Sequence, residues 1–383
     1  MRASAAARSC FKEPQARIVE HPGSATGDYL AGRRYRYAPR ARRTAQQGWL
    51  RLSGATGHNL KNLTVDLPLG TLAVIAGPSA SGKTTLLEET LYPGLCKRKK
   101  IDAPAALPFE QLLGDRQIED VILIDQSPVG RSPRSNPATY LKIFDEIRKL
   151  FAETADARTN NYGPGNFSFN VAGGRCETCE GDGFLRIDMQ FMADVFMKCQ
   201  SCHGRRFRPE ILAIQYRNRN IADVLDMTAR EAFTFFRGAP QVQAKLKQLI
   251  DVGLEYLRLG QPANTLSSGE SQRLKLVSYI ASMKKSRTLF LLDEPTTGLH
   301  FADVAQLLEC FQALLDVGHS LIVVDHHPLV LQTADYILEL GPGSADDGGR
   351  LVARGTPEEL VTNANSPTGK FLKRWFAHSA KDR

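Results

Sequence analysis

The residues best suited to chemistry lie in a few separate stretches, and the first reads GPSASGKTT, residues 77–85. It has the form G-x-x-x-x-G-K-T, with a β-rich apolar run before it and a helical pattern after it, as a phosphate-binding loop requires. In such a loop, backbone N–H groups hold phosphate oxygens, the lysine contacts the β- and γ-phosphates, and the hydroxyl ligates Mg²⁺. The candidate ATP and Mg²⁺ contacts are Gly77, Ser79, Ser81, Gly82, Lys83, Thr84 and Thr85.

A second stretch ends in two adjacent carboxylates. RTLFLLDEPTTGLH, residues 287–300, predicts a buried strand that delivers Asp293 and Glu294 at its end. We expect Asp293 to hold Mg²⁺ and Glu294 to orient or deprotonate the attacking water. A further predicted strand, SLIVV at 320–324, leads to His326, which could contact a γ-phosphate or be merely structural. Its position after a buried strand favours the phosphate contact.

Small residues precede a helical pattern between these anchors. The stretch is NTLSSGESQRLKLVSYIASM, residues 264–283, and it places Ser267 and Gly269 where a helix N-terminus can bind an anion. Serine is also a common N-cap, so an ordinary helix start is the alternative.

Four cysteines follow the spacing C-x2-C-x19-C-x2-C. Four thiolates in a tetrahedral array select zinc and leave no open coordination position, so the metal would be structural. A redox pair or two disulfides are the competing interpretations. Each CxxC is followed by x-Gly, which suits a tight turn of the backbone toward sulfur, and His203 is not counted as a ligand. The candidate zinc ligands are Cys176, Cys179, Cys199 and Cys202.

Composition narrows the class of protein. The chain has 383 residues and is 42% hydrophobic, which suffices for a core in two or three domains. No apolar run reaches the length of about 18 residues needed to span a membrane, so we expect no membrane span. Four of the seven cysteines pair as CxxC motifs, a usage that fits a reducing cytoplasm better than a disulfide framework, so we expect a cytoplasmic protein without a membrane partner. The net charge is +8, and residues 1–50 hold ten Lys or Arg against three Asp or Glu. This basic start is typical of a targeting segment or of any disordered start.

Together these motifs resemble those of the ABC ATPases. Their residues are most similar to those of the UvrA family, the damage-recognition ATPases of bacterial nucleotide excision repair. The segments that carry the resemblance are IDQSPVGRSPRSNPATY (124–140), NFSFNVAGGRCETCEGDG (166–183), DVLDMT (223–228) and LDEPTTGLHFAD (292–303). The resemblance is to the C-terminal half of that family and extends from about Trp49 to about Trp375.

The resemblance implies an α/β fold: an ABC-type P-loop NTPase module with an inserted α-rich signature domain that carries the four-cysteine zinc module. It implies ATP hydrolysis that controls the binding of damaged duplex DNA, with no intrinsic nuclease. Gln126 resembles the Q-loop glutamine and His326 the switch histidine. Ser267 and Gly269 resemble the signature contacts, and Glu294 the catalytic carboxylate.

Other functions stay open beside this one. A truncated or degenerate half could act as a passive zinc and DNA-binding module, and a transporter ATPase is the third class, against which the zinc module argues. Two family glycines are replaced by Ala80 and Ser268, and Asp325 replaces a glutamate. If position 80 or 268 needs a positive φ, the side chain costs about 1 kcal/mol.

Cations near the zinc module are candidate DNA contacts, because the module is part of the DNA-facing surface in the family. A solvated surface charge is the alternative for each of them. The candidates at the module are Arg186, Lys198, Arg205, Arg206 and Arg208. Arg131 and Arg134, in the loop before the helix that starts at Pro137, are further candidate phosphate contacts.

The predicted organisation has five parts. A basic arm at 1–48 precedes an ATP-binding lobe at 49–116. The inserted signature-domain region spans 117–265 and contains the zinc module at 173–206. The last lobe, at 266–375, holds the signature helix, the strand that ends in Asp293 and Glu294 (the Walker B strand) and the switch histidine, and a tail follows at 376–383. SATGDYL at 24–30 and SPTGKFL at 366–372 are similar, so the arm could be the remnant of a preceding module or a coincidental basic tail. Asn136 and Pro137 predict the start of a helix that continues to residue 151, and residues 241–259 predict another.

One module supplies a phosphate-binding loop but needs an opposing signature. We therefore expect a head-to-tail homodimer that pairs Lys83 of one chain with Ser267 of the other, or a separate N-terminal-type half. In the family, the surface that recruits UvrB belongs to the N-terminal half, so direct UvrB binding is not expected.

Overall fold

The computed structural model describes residues 25–30, 41–130, 132, 134–187, 195–282 and 287–380. Its strands are β1 (Trp49–Ala55), β2 (Leu63–Pro68), β3 (Leu72–Ala76), β4 (Gln111–Leu113), β5 (Asp120–Ile124), β6 (Phe184–Ile187), β7 (Val195–Lys198), β8 (Thr288–Asp293), β9 (Ser320–Val324), β10 (Tyr336–Gly341) and β11 (Arg350–Gly355). Its α-helices are α1 (Ala25–Leu30), α2 (Tyr92–Lys99), α3 (Pro137–Tyr140), α4 (Ile143–Ala152), α5 (Ala155–Thr159), α6 (Pro209–Ala213), α7 (Ile221–Asp226), α8 (Ala229–Phe235), α9 (Pro240–Asp251), α10 (Ser268–Ser282), α11 (Phe301–Asp316), α12 (Pro328–Thr333), α13 (Pro357–Thr362) and α14 (Pro367–Ala380).

The chain divides into two compact units: Met1–Asp125 together with Lys284–Arg383, and Gln126–Met283. The inserted unit therefore spans residues 126–283, which corrects the predicted boundaries at 117 and 265. Strand β5 pairs within the large sheet of the first unit, and helix α10 groups with the insertion. The sequence pattern predicts these two elements, but it does not show which unit each of them packs in.

The first unit is built around a six-stranded sheet in the order β11-β10-β3-β9-β8-β5. Strands β10 and β11 pair antiparallel, and the other neighbours pair parallel. Because parallel strands end at the same edge of a sheet, the loops after β3, β9 and β8 meet there. This topology brings three of the predicted motifs together. A smaller antiparallel sheet has the order β2-β1-β4.

The apolar runs of β3, β8 and β9 are buried along their whole length. Continuous burial is typical of interior strands that are covered on both faces, and it explains why these strands read as unbroken hydrophobic runs rather than alternating ones. A π-type helix, Thr85–Leu91, leads directly into α2. Its Leu86, Leu87 and Leu91 join the core under the sheet, which anchors the start of the helix.

The second unit is α-rich and carries a two-stranded hairpin, β6–β7. Asn136 caps α3 by accepting the Thr139 N–H at 2.9 Å, with Pro137 as the first helical residue, as predicted. The predicted continuous helix is wrong beyond that point, because Lys142, at a φ of +54°, separates α3 from α4. Helix α9 ends at Asp251, so residues 252–259 are also not helical.

The ends of the chain also depart from the predicted divisions. Residues 1–24 and 31–40 of the predicted arm lie outside the described residues. The Arg42 guanidinium donates to the carbonyl oxygens of Gln332 and Ala334 at 2.8 and 2.9 Å. Residues 41–48 therefore pack on the first unit rather than forming part of a separate arm, and the predicted tail at 376 begins inside α14.

Candidate nucleotide-binding site and metal centre

The phosphate-binding loop contains two positions that need glycine. Gly77 follows β3 with a φ of +140°, and a Cβ there would lie 2.2 Å from the Leu340 carbonyl oxygen. Gly82 has a φ of +98°, and its Cβ would lie 2.7 Å from the Leu60 side chain. Between them, the Ser81 hydroxyl is buried and has no hydrogen-bond partner among the described residues. A buried hydroxyl without a partner fits a loop built to hold phosphate oxygens.

The two replaced family glycines differ in their backbone. Ala80 has a φ of +58°, in the left-handed region that favours glycine. Ser268 is the first residue of α10 and has no positive φ. Only the alanine is therefore expected to strain the backbone, by about 1 kcal/mol.

Lys83 is nearly buried at the centre of the loop. Its Nζ donates to the carbonyl oxygens of Gly77 and Pro78, at 3.0 and 2.6 Å. Burial lowers the pKa of this ammonium, against the opposing influence of the Glu294 and Asp293 charges. The loop thus concentrates one cation where a phosphate would lie, facing the two strand-end carboxylates.

Thr84 and Asp293 form the pair that would hold Mg²⁺. The Thr84 Oγ1 donates to Asp293 Oδ2 at 3.3 Å, although the two residues are far apart in the sequence. Burial raises the pKa of Asp293 to about 6, and the neighbouring Glu294 charge adds to the rise. Hydroxyl and carboxylate oxygens are the ligands that Mg²⁺ prefers, so the residues present fit this cation.

Glu294 lies with the loop around one cavity of about 330 Å³. Its backbone N–H donates to the Val324 carbonyl oxygen at 2.8 Å and its φ is +47°, so the end of β8 turns the side chain away from the strand. The predicted lining residues are Ser79, Gly82, Lys83, Thr84, Thr85 and Glu294, and the structure adds His58, Asn59, Ala80 and Ala345.

Asn59 was missed because no motif surrounds it. Its Nδ2 donates to the Ala80 carbonyl oxygen at 2.9 Å and to that of Ala345 at 3.2 Å. This amide joins three segments that are distant in sequence. A single sequence carries no signal for such a contact.

His326 is exposed at the end of β9 and lines a neighbouring cavity of about 220 Å³ together with Gly77 and Pro78. It is therefore close to the phosphate-binding loop but does not share the cavity of Glu294. Its predicted contact with a γ-phosphate stays a prediction.

Gln126, Ser267 and Gly269 belong to the second unit. Gln126 is exposed. The Ser267 Oγ accepts the Glu270 N–H at 3.2 Å, and the Glu270 carboxylate accepts the Ser267 N–H at 2.8 Å. This reciprocal arrangement is a capping box, so Ser267 does act as a helix cap, whatever else it binds.

The four cysteine sulfurs lie within 4.8 Å of one another, and all four side chains are buried free cysteines. The Sγ–Sγ distances are 3.9 Å between Cys176 and Cys199, and 3.6 Å between Cys179 and Cys202. A tetrahedron with zinc–sulfur bonds of about 2.3 Å has edges of about 3.8 Å, whereas a disulfide needs about 2.05 Å. The residues present fit zinc and do not form two disulfides.

The two CxxC turns share one backbone conformation. Glu180-Gly181 and His203-Gly204 all have positive φ, between +49° and +91°. The first turn closes with a hydrogen bond of 2.9 Å from the Asp182 N–H to the Cys179 carbonyl oxygen. The second closes with the corresponding bond of 2.9 Å from the Arg205 N–H to the Cys202 carbonyl oxygen. The x-Gly that follows each cysteine pair is thus required by the backbone of the turn.

No family model matches the chain. UvrABC system protein A of Thermus thermophilus is 50% identical to it over 357 residues, which is 93% of this chain and 37% of the relative. The Bacillus subtilis protein of the same name is 46% identical over 358 residues, again 93% and 37%. The crystal structure of UvrA2 from Deinococcus radiodurans superposes with a TM-score of 0.84 at 43% identity, and the match covers 94% of this chain and 43% of that one.

The chain is a UvrA homologue. It spans about two fifths of the length of the relatives it matches. Its fold is the predicted one: an α/β, ABC-type P-loop NTPase module with an inserted α-rich unit that carries a four-cysteine cluster able to bind zinc.

Most of the predicted DNA-contacting cations of this UvrA homologue are engaged inside the second unit. Arg134 donates to Asp182 at 2.5 Å, and Arg205 donates to Asp223 at 2.5 Å. Arg208 forms an ion pair with Glu177. These contacts with carboxylates reduce the charge that each cation offers to a phosphate.

Arg206 is a different case, because its side chain is buried. Its guanidinium lies 5.0 Å from the centre of the Phe169 ring and donates to the Gly260 carbonyl oxygen at 3.4 Å. Burial lowers the pKa of Arg206, and the nearby Asp182 charge opposes that effect. The prediction that Arg206 contacts DNA directly is therefore corrected to a role inside the unit.

The remaining candidates differ in what the structure describes. Lys198, at the end of β7, is exposed. Arg186 lies on β6, but its side chain is outside the described part, and Arg131 is outside it altogether. In the part of the chain that the structure describes, no helix is both long and apolar enough to cross a membrane.

Proposed function

We propose that this UvrA homologue is a DNA-binding ATPase of nucleotide excision repair, in which ATP binding and hydrolysis control the binding of damaged duplex DNA. The observation that carries the proposal is the Thr84–Asp293 contact of 3.3 Å. It joins the phosphate-binding loop to the strand-end carboxylates at one sheet edge, with Lys83 and Glu294 at the same cavity.

ATP is the substrate of the proposed reaction. Lys83 and the loop N–H groups bind its phosphates, and Ser81 offers its buried hydroxyl to them. A Mg²⁺ ion held by Thr84 and Asp293 would neutralise charge that develops on the phosphates. Glu294 orients the attacking water and accepts its proton, since it is the carboxylate next to Asp293 that faces the same cavity.

Turnover requires the signature residues as well as the phosphate-binding loop. We assign Ser267 and Gly269 to a nucleotide held by another module, either a second copy of this chain arranged head to tail or a separate N-terminal-type half. Gln126 and His326 complete the set, as the Q-loop and switch residues. Direct contact with UvrB is not part of the proposal.

Zinc would act as a structural clamp. Four thiolates leave no position for a substrate, and the segment between the cysteine pairs is too short to fold alone. DNA would bind on the surface of this unit through its cations, without any nuclease activity of the chain itself. We place the protein in the cytoplasm, together with the nucleotide excision repair machinery proposed above.

The first test is ATP hydrolysis by the purified, zinc-loaded chain with and without duplex DNA. We expect DNA to change the rate, and Glu294→Gln to lower it about 100-fold or more while nucleotide still binds. Glu309→Gln is the matched control, because it makes the same carboxylate-to-carboxamide change at an exposed residue of α11 in the first unit.

The second test is DNA affinity in three states: without nucleotide, with ATP and with ADP. A difference among them supports control by nucleotide. Equal affinity in all three, or a rate that Glu294→Gln leaves intact, would reject the proposal. Size-exclusion chromatography of the Glu294→Gln variant with Mg-ATP tests the head-to-tail dimer, and a monomer would exclude it.

A further inference from the structure

A concave basic surface lies beside the cysteine cluster, within the second unit. Its cavity has a volume of about 360 Å³, and Phe184 and Leu225 supply apolar lining. Four cations line it: Lys198, Arg205, Arg206 and Arg258. Asp226 is the carboxylate among its lining residues, so the lining carries a formal surplus of three positive charges (four minus one).

The four cations are not equally available. Arg205 and Arg206 are engaged inside the unit, as described above. Lys198 and Arg258 are exposed, and neither forms an ion pair with a carboxylate in the part of the chain that the structure describes. The Arg258 Nη1 donates to the Asp226 carbonyl oxygen at 2.5 Å, which restricts the guanidinium and leaves its other N–H groups for a ligand.

We propose that this cavity binds a backbone phosphate of duplex DNA, with Lys198 and Arg258 as the direct contacts. The proposal rests on the DNA binding proposed above and adds the place of contact. Clustered like charges in a concavity focus positive potential, and here that potential comes chiefly from Lys198 and Arg258, because Asp223 offsets the charge of Arg205. A guanidinium fork beside a lysine ammonium is complementary to phosphate oxygens.

Arg258 is absent from the sequence-based candidates because it lies more than fifty residues beyond Cys202, the last cysteine of the cluster, and belongs to no motif. The fold brings it next to the second CxxC turn, because Arg258, Gly260, Gln261 and Pro262 line the cavity together with Gly204 and Arg205. The site is thus composed of two segments that only the tertiary structure joins.

The salt dependence of DNA binding tests the proposal. Fluorescence anisotropy of a labelled duplex would be recorded over a salt series for the zinc-loaded full chain, Lys198→Gln, Arg258→Gln and the double variant. Each substitution should lower the slope of log K against log salt by about 1, and the double variant by about 2. Lys247→Gln is the control of equal charge change, since Lys247 is exposed in the same unit and pairs with Asp251; its slope should match the wild type.

Zinc content and unfolding temperature monitor the fold. If Arg258→Gln loses zinc, Lys198→Gln alone tests the proposal, and its slope of log K against log salt must fall by about 1. A double variant whose slope equals that of Lys247→Gln overturns the proposal while the proposed function stands. Failure of the wild type to bind DNA at all overturns both.

A free phosphate is the other source of the same ligand chemistry. If millimolar inorganic phosphate at constant ionic strength weakens DNA binding by the wild type more than by the double variant, DNA and the free anion compete for the cavity, which supports the proposal. If calorimetry shows that inorganic phosphate binds the wild type and not the double variant, while both bind DNA with equal salt slopes, the cavity takes only the free anion and the assignment to DNA is wrong.

Discussion

The hydroxyl of Thr296 donates to the carboxylate of Asp325, with Oγ1 2.8 Å from both Oδ1 and Oδ2. The same Oδ1 accepts the backbone N–H groups of His326 and His327, at 2.7 and 2.8 Å. Thr296 stands two residues after Glu294. This buried carboxylate therefore joins the segment after the candidate catalytic carboxylate to the segment that carries the candidate switch histidine.

Thr296→Val should lower kcat for ATP hydrolysis about tenfold or more, because a hydrogen bond to a charged group contributes about 1.5–3 kcal/mol. KM for ATP should change less than threefold, since no phosphate contact is removed, and Thr296→Ser should restore the rate. Steady-state hydrolysis over a range of ATP concentrations measures both constants. Thr362→Val, which removes an exposed hydroxyl bonded to the Glu359 carbonyl oxygen, is the control. A serine variant as slow as the valine variant would contradict the positioning role.

Ala80→Gly should stabilise the folded protein by up to about 1 kcal/mol, because it relieves a left-handed alanine at a φ of +58°. The matched variant Ser268→Gly should instead be neutral or destabilising, since position 268 begins a helix, where glycine is a poor helix former. Urea unfolding of the three proteins gives the free energies. Equal stabilisation by both glycines would show that the φ at position 80 is not the cause.

Cys179→Ser should reduce bound zinc from one ion per chain to well below one and unfold the second unit. A tetrathiolate site has no substitute ligand, and the metal supplies folding free energy. Zinc analysis and the accessibility of 126–283 to limited proteolysis give the two readouts. Cys310→Ser, a change of the same kind outside the cluster, should keep full zinc content. Retention of stoichiometric zinc by Cys179→Ser would exclude the cluster as the site.

The pH dependence of stability should report Asp293. Its folded pKa of about 6 is raised above its ordinary value of 3.8. A raised carboxyl pKa contributes stability that is fully present below the unfolded pKa and is lost as the pH rises through the folded value. Without Mg²⁺, Asp293→Asn should thus be more stable than the wild type at pH 8, by on the order of 2 kcal/mol, and the difference should shrink toward pH 4.

Urea unfolding at several pH values, with chelator present, checks this expectation. Glu309→Gln should follow the wild type throughout, because Glu309 is exposed. Added Mg²⁺ should stabilise the wild type at pH 8 and leave Asp293→Asn unaffected. A stability difference that does not vary with pH would assign the effect of the substitution to something other than ionisation.

The sequence by itself determined the contiguous motifs of this UvrA homologue. Glycine at 77 and 82, the x-Gly after each cysteine pair and the buried strands before Asp293 and His326 can be read from neighbouring residues, because backbone conformation and strand burial are local constraints. Spacing was enough to identify the four cysteines as one cluster, since the metal geometry they fit is stereotyped.

Only the tertiary structure decided which distant residues meet. It placed Asn59 at the phosphate-binding loop, Thr296 against Asp325 and Arg258 in the basic cavity. It also showed that four of the candidate DNA contacts have partners inside the second unit, which the sequence alone did not reveal: Arg134, Arg205, Arg206 and Arg208. The reason is physical: a charge or amide acquires its role from the groups that folding brings within hydrogen-bonding distance, and those groups lie elsewhere in the chain.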